Sequence, residues 1–192
     1  MRSRMKDRLA EAFLELCCEK AIKKITVSDI VKKADTGRQS FYNHFHDKFE
    51  LINWIFEKRS TEIITGFRPE DGWHRIIANY YHSFLDQKAF YSQAAKLEGQ
   101  NSFADYLYRE TFAFHRETIM RRAGGELTGD MLFAVRFNTL AAIGICTEWM
   151  KNGMEETPDE MARLLTSCLP LPIREYLLDN RGHVKDSSCA PS

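Results

Sequence analysis

The chain has 192 residues, 44% of them hydrophobic, and carries 27 basic against 27 acidic side chains, so its formal net charge is zero. That length suits one substantial helical body, or a small domain joined to a larger one. The start, MRSRMKDRLAEAF, lacks the apolar segment of a secretory signal, and the longest uncharged run in the large helices, Phe137 to Thr147, is about half of the ~20 residues a membrane span requires; a cytoplasmic protein is expected.

In chain order, residues 5–20 form the first predicted helix, with Met5, Leu9, Ala12, Phe13, Leu16 and Cys17 on one face. Its basic start (Arg2, Arg4, Lys6, Arg8) is open to a nucleic-acid backbone or simply to solvent. Val27 to Ala34 form a short second helix, whose apolar Val27, Ile30, Val31 and Ala34 fall at i, i+3, i+4 and i+7. Thr26 stands as its N-cap, with Asp29 three residues on to complete a capping box. Asp35-Thr36-Gly37 breaks the pattern with residues suited to turns. Arg38 to Phe45 form the next helix and turn Phe41 and Phe45, at i and i+4, toward the core. Arg38, Gln39, Ser40, Tyr42, Asn43 and His44 are left for other faces, and all of them can hydrogen-bond. A buried stripe that sets an interhelical angle, beside a donor-rich face, is what a helix-turn-helix needs to lie in a DNA major groove.

Charge supports that reading once it is divided along the chain. Residues 1–48 hold eleven Lys/Arg against seven Asp/Glu, which leaves sixteen against twenty in the remainder. A basic head on an acidic body presents one end to phosphate.

Asp47 caps a fourth helix, with Glu50 at its third position. It runs from Lys48 to about Thr65, and Leu51, Ile52, Trp54, Ile55 and Phe56 make it apolar on more than one face, so it must pack against two neighbours and link head to body. Gly66, Pro69 and Gly72 mark a break. Further helices are expected over Trp73 to Asp86, 88–97, 102–122 (after a turn at Gly99 to Ser102), Thr128 to Asn152, and from Thr157-Pro158 to about Cys168. A short terminal helix follows near Ile173 to Leu178. The class is all-α with about nine helices in all: a helix-turn-helix domain over 1–48, a larger effector-binding and dimerisation domain over 49–178, and a polar, disordered tail over 179–192. The five cysteines show neither metal-ligand spacing nor a disulfide framework; Cys17, Cys146 and Cys168 are expected in the core. Neither a metal site nor a cofactor is expected. An enzyme is disfavoured, since no Gly-rich phosphate loop and no nucleophile elbow occurs.

The run ITVSDIVKKAD, followed by RQSFYNHFHDKFELINWIF, resembles the DNA-binding domain of the TetR family of bacterial transcription regulators. Its most specific part is Tyr-x-His-Phe-x-x-Lys at Tyr42 to Lys48, and the match covers roughly the first third of the chain. One departure stands out: family members usually have Gly in the interhelical turn where this chain has Asp35, a residue that tolerates positive φ. The phrases FYSQAAKLEGQNSFADYL and EWMKNGMEETPDEMARLL resemble the sensor domain of regulators encoded near dihydroxyacetone kinases.

The resemblance implies a homodimer on near-palindromic operator DNA, controlled by a small-molecule effector or by a coactivator protein. Arg38 and Gln39 are then placed to make bidentate contacts to guanine and adenine edges, and Ser40 to read a base or hold a phosphate. Asn43 belongs to the same face. Tyr42, His44 and Lys48 match positions that grip the DNA backbone, although Tyr42 is equally suited to packing partly in the core. Thr26 is a helix cap that can also hold a phosphate, and Ser28 matches a position that sometimes reaches a base. For the effector, the candidates are polar or aromatic residues set in apolar helices: Trp54, Tyr80, Phe84, His115, Asn138, Thr147 and Glu148. Small residues at Ala141, Ala142 and Gly144, beside Ile145, permit close approach of another helix, and the resemblance implies pairing of the last two long helices into a four-helix bundle.

Overall fold

A computed structural model describes residues 2–65, 72–97 and 102–178. The expected tail, Cys189, the breaks at Gly66 and Pro69, and the turn residues Gly99 to Asn101 lie outside the described residues. Ten α-helices and one 3-10 turn are present, with no strand among the described residues. They are α1 (Arg2–Glu19), the 3-10 turn (Ile22–Lys24), α2 (Val27–Lys33), α3 (Arg38–Tyr42), α4 (Lys48–Thr65), α5 (Trp73–Asp86), α6 (Lys88–Ala94), α7 (Phe103–Ala123), α8 (Gly129–Lys151), α9 (Pro158–Ser167) and α10 (Leu171–Leu178). The helix ends differ from the expected ones by a few residues. At α3 the regular helix stops at Tyr42, but Asn43, His44 and Phe45 still donate backbone bonds to Gln39 and Phe41, so the last turn tightens rather than opens.

The head is built on one stripe from each short helix. Leu9, Phe13 and Leu16 of α1, Ile30 and Val31 of α2, and Phe41 and Phe45 around α3 are buried against Leu51 and Ile52 of α4. Burying each of these large side chains contributes about 1.5–3 kcal/mol, which lets a five-residue helix such as α3 persist although an isolated one would not.

The turn between α2 and α3 shows how the missing glycine is accommodated. Asp35 takes the left-handed conformation (φ 48°), while Gly37 is extended at the N-cap of α3. The Asp35 N–H donates to Lys32 O at 3.3 Å and the Thr36 N–H to Val31 O at 2.9 Å, the paired bonds of a Schellman ending. Arg8 reaches over from α1 and donates to Ala34 O at 2.6 Å and Asp35 O at 3.3 Å. Since left-handed backbone costs non-glycine residues about 1–2 kcal/mol, and Asp somewhat less, Asp35→Gly is expected to raise stability by roughly 0.5 kcal/mol. Asp35→Val is expected to lower it, and paired thermal melts check both signs.

Head and body meet at two places. The start of α4 belongs to the head, with Trp54 edge-on to Phe45; its later turns belong to the body, with Phe56 against Phe84, Phe103 and Tyr106. The second junction is at α6. Gln93 accepts from the Ile22 N–H at 2.7 Å and donates to Cys17 O at 2.9 Å, and Phe90 packs edge-on against Phe13. One carboxamide thus closes off both the end of α1 and the start of the 3-10 turn.

In the body, α5 packs against α9, and α7 lies along α8 with α10 across their ends. Cys17 and Cys146 are buried, and burial pushes both thiols up to about 12. Cys168 is instead exposed, as the C-cap residue of α9. By length and composition α8 could cross a membrane, with a mean hydropathy of 1.3 over its best window. Arg136 in its middle is exposed and Thr139 bonds to a histidine of α7, so α8 packs one face on the body and leaves the other open.

Candidate nucleic-acid interface

The residues of the helix-turn-helix face lie where the periodicity puts them. Arg38, Gln39, Tyr42 and Asn43 are exposed, and Ser40 and His44 are half-buried beside the buried anchors Phe41 and Phe45. Among the described residues, no part of the body covers this surface. At the N-terminus of α2 the capping box is complete: Thr26 Oγ1 accepts the Asp29 N–H at 3.2 Å, and the Asp29 carboxylate accepts the Thr26 N–H at 2.8 Å and its hydroxyl at 2.7 Å. The Thr26 backbone bond, then its hydroxyl and Lys20, hold the Asp29 carboxyl down at about 2. A phosphate would reach the Thr26 hydroxyl only by displacing Asp29.

Arg38 lies back across the two helices. Its Nε donates to Ser28 Oγ at 3.1 Å, and Nη2 donates to the same oxygen. A guanidinium has five N–H donors in a planar fork, so three remain for a base edge while Ser28 sets the direction of the fork. Gln39 donates from Nε2 to Asn43 Oδ1 at 3.2 Å, one turn on. The Tyr42 ring meets Phe41 edge-on at 5.6 Å with its face open to solvent, although it could equally have been a core residue. His44 keeps Nδ1 buried and without a partner among the described residues.

Three basic groups do work that periodicity did not reveal. Lys48 donates to Ile22 O at 3.0 Å, Lys23 O at 3.4 Å and Ile25 O at 3.0 Å. Its three N–H bonds therefore go to the carbonyls of the 3-10 turn, where desolvation lowers its pKa. This differs from the expected grip on phosphate: Lys48 fixes the loop that leads into α2. At the start of α1, Lys6 sits over the Phe45 and Trp54 rings at 5.0 and 5.6 Å, and Arg8 closes the turn described above, so neither simply faces solvent.

The body holds a cavity of about 420 Å³ between α4, α5, α7 and α8. Four of the expected effector residues, Tyr80, Phe84, His115 and Asn138, line it, and Ile77, Phe114 and Ile143 extend its apolar wall. The other three lie elsewhere. Trp54 is committed to the head, under Lys6 and Lys58. Thr147 turns its hydroxyl onto its own helix, at 2.8 Å from Ile143 O. Glu148 is exposed and borders a separate groove between α8 and α9. Ser60 and Trp73 line the cavity and were not anticipated. Ser60 falls one turn after Phe56 on the stripe that faces inward, a periodicity that could have disclosed it. Burial raises the Tyr80 phenol to about 12, so the hydroxyl is neutral at physiological pH.

His115 has a defined tautomer. Thr139 Oγ1 donates its proton to Val135 O at 2.8 Å, so it can only accept from His115 Nδ1 at 3.0 Å. The ring carries its proton on Nδ1 and leaves Nε2 as an acceptor. Burial holds its pKa down at about 4, and the imidazole is neutral.

An exposed apolar stripe runs down α8. Phe133, Phe137, Leu140 and Ile145 are 69, 58, 58 and 44% exposed, and Ala141 and Gly144 lie open between them. Ala142 turns inward to the cavity instead. Leu164 of α9 and Leu171 of α10 are exposed as well.

Comparison with known proteins bears on both halves. Residues 9–54 match the family described as bacterial regulatory proteins, tetR family, and residues 71–170 match a transcriptional regulator C-terminal region. Among curated relatives, the HTH-type dhaKLM operon transcriptional activator DhaS of Lactococcus lactis subsp. lactis (strain IL1403) is 34% identical over 85 residues, 44% of this chain and 46% of that protein. The uncharacterized HTH-type transcriptional regulator YvdT of Bacillus subtilis (strain 168) is 35% identical over 72 residues, 35% of this chain and 37% of that protein. The alignments thus span less than half of each relative's own length. Among solved structures, a dihydroxyacetone kinase operon activator DhaS superposes with a TM-score of 0.69 at 22% identity, covering 91% of this chain and 98% of that one. A TetR transcriptional regulator from Rhodococcus sp. RHA1 superposes at 0.62 and 21% identity, covering 88 and 96%. At these identities the superpositions speak for the fold alone.

Proposed function

The chain belongs to the TetR family of bacterial transcription regulators, and from that premise we propose that it binds operator DNA as a homodimer through the α2–α3 face and answers to an effector held in its body. The families and relatives it matches are transcriptional regulators rather than enzymes. The observation that carries the DNA-binding reading is the exposed row Arg38, Gln39, Tyr42 and Asn43 on a helix anchored by the buried Phe41 and Phe45. In it, Arg38 and Gln39 read bases, with Ser40, Tyr42, Asn43 and His44 beside them. Thr26 and Ser28 flank that row, and Lys48 supports it from behind.

Selection of duplexes from a random pool with the purified protein tests this. An inverted repeat should be enriched, with affinity that falls as salt rises. Arg38→Ala should cost roughly 1–3 kcal/mol per half-site and erase the preference at one base pair. Wild-type protein that retained no duplex, or an Arg38→Ala variant that kept full affinity and preference, would refute the assignment.

A small-molecule effector suits the cavity, because its volume lies in the range of pockets that bury drug-sized ligands. A ligand there touches α4 and α5 together and so biases the helix that continues into the head. A second reading, control by a coactivator protein, is favoured by the likeness to a dihydroxyacetone kinase operon activator. A gel-shift assay with added partner protein, run beside one with small metabolites, separates the two.

A further inference from the structure

Taking the cavity as the effector site, we propose that its ligand is a compact aromatic molecule bearing one protonated amine, with the amine at the α4–α7 mouth and the rings inside. This rests on the effector reading above and adds the ligand's chemical class. The first observation is charge. Among the described residues, Glu57 of α4 and Glu110 and Glu117 of α7 are the charged residues of the lining, which contains no Lys or Arg. None of the three carboxylates has an ion-pair partner among the described residues. All three are exposed, as are their neighbours Thr61 and Ala113, and together these side chains form the rim. Arg109 approaches Tyr106 from nearby but stays out of the lining. An anionic ligand would meet uncompensated repulsion here, whereas a cation gains attraction from both helices.

Independent features of the interior point to a ligand. Trp73 lines the cavity and is 4% exposed, and its Nε1 has no hydrogen-bond partner among the described residues. Natural interiors seldom leave such a group unpaired, and a ligand that meets it accounts for its placement. The bond from His115 to Thr139 leaves Nε2 as the acceptor of the ring. Phe56, Trp73, Tyr80, Phe84, Tyr106 and Phe114 surround the space. Ring faces of this kind attract a cation as well as apolar surface.

A charge series on one apolar body tests the proposal: 3,3-diphenylpropylamine, 3,3-diphenylpropan-1-ol and 3,3-diphenylpropanoic acid, titrated calorimetrically into the full-length protein. The amine should bind about tenfold tighter than the alcohol, and the acid more weakly than either. In the Glu57→Gln, Glu110→Gln double variant the gap between amine and alcohol should close. If the alcohol binds as tightly as the amine, or the acid binds tightest, the amine assignment is overturned while the effector site stands. If none of the three binds to protein that still retains duplex DNA, the effector reading of the cavity falls with it. An amine preference that survives the double variant would also overturn the placement at the mouth.

Discussion

Phe137→Glu is expected to turn a dimer into a monomer and to weaken operator binding about 10²–10⁴-fold, the factor lost when two linked heads become independent. Phe133, Phe137 and Leu140 fall at i, i+4 and i+7, close to one line along α8 that Gly144 continues at i+11, and all remain largely open in the single chain. A contiguous apolar face of this kind marks an association surface. In a two-fold interface each substitution appears twice, so two carboxylates would have to leave water close to one another, at a cost of several kcal/mol. The monomer itself should tolerate the change, because Phe137 is 58% exposed and belongs to neither hydrophobic cluster. Sedimentation equilibrium reports the association state, and binding to the selected duplex reports the consequence. A variant that stayed dimeric with full affinity would place the interface elsewhere. Helical content should hold steady in circular dichroism, which separates loss of pairing from loss of fold.

The head was legible in the sequence because its determinants are local. A capping box three residues long, apolar spacings of three and four, and an Asp able to adopt positive φ each act within one turn, and the structure forms all of them. The destinations of long side chains were not legible. Lys48 and Arg8 look like free cations in the sequence, yet both reach carbonyls 23 to 27 residues away, a distance that periodicity does not cover. The cavity shows the same division. Tyr80, Phe84, His115 and Asn138 face inward because their helices turn one stripe to the core. Trp54 and Thr147 occupy equally apolar surroundings, but Trp54 lies on the part of α4 that belongs to the head, and Thr147 bonds to its own helix. The inverse cases differ: Ser60 follows Phe56 by one turn on the inward stripe and was open to a periodicity search, whereas Trp73, a large apolar residue, meets it only through the packing of α4 against α5 and α7. The exposed stripe on α8 was half visible. Its small members, Ala141 and Gly144, hinted at close helix approach, while the large Phe133 and Phe137 could equally have been core residues.

Acid is expected to destabilise the protein through His115, by about 2 kcal/mol between pH 7 and pH 5. In the unfolded chain this imidazole takes up a proton near pH 6.5; in the folded chain burial holds the event down to about 4. Between those values the unfolded state binds more protons than the native one, so stability falls as pH falls, and the loss is complete once the folded histidine also protonates. The local geometry explains why the native state resists. Nδ1 already gives its proton to Thr139, whose own hydroxyl proton is committed to Val135 O, while Trp73 and Phe114 flank the ring at 5.3 and 6.2 Å. A second proton, on Nε2, would put a charge where burial strips it of solvent. His115→Asn retains an N–H for Thr139 but cannot titrate. It should therefore lower stability at pH 7, through lost packing, while flattening the decline toward pH 5 by about 2 kcal/mol in urea-unfolding series at the two pH values. If the two proteins lost equal stability over that interval, the neutral buried imidazole would be wrong.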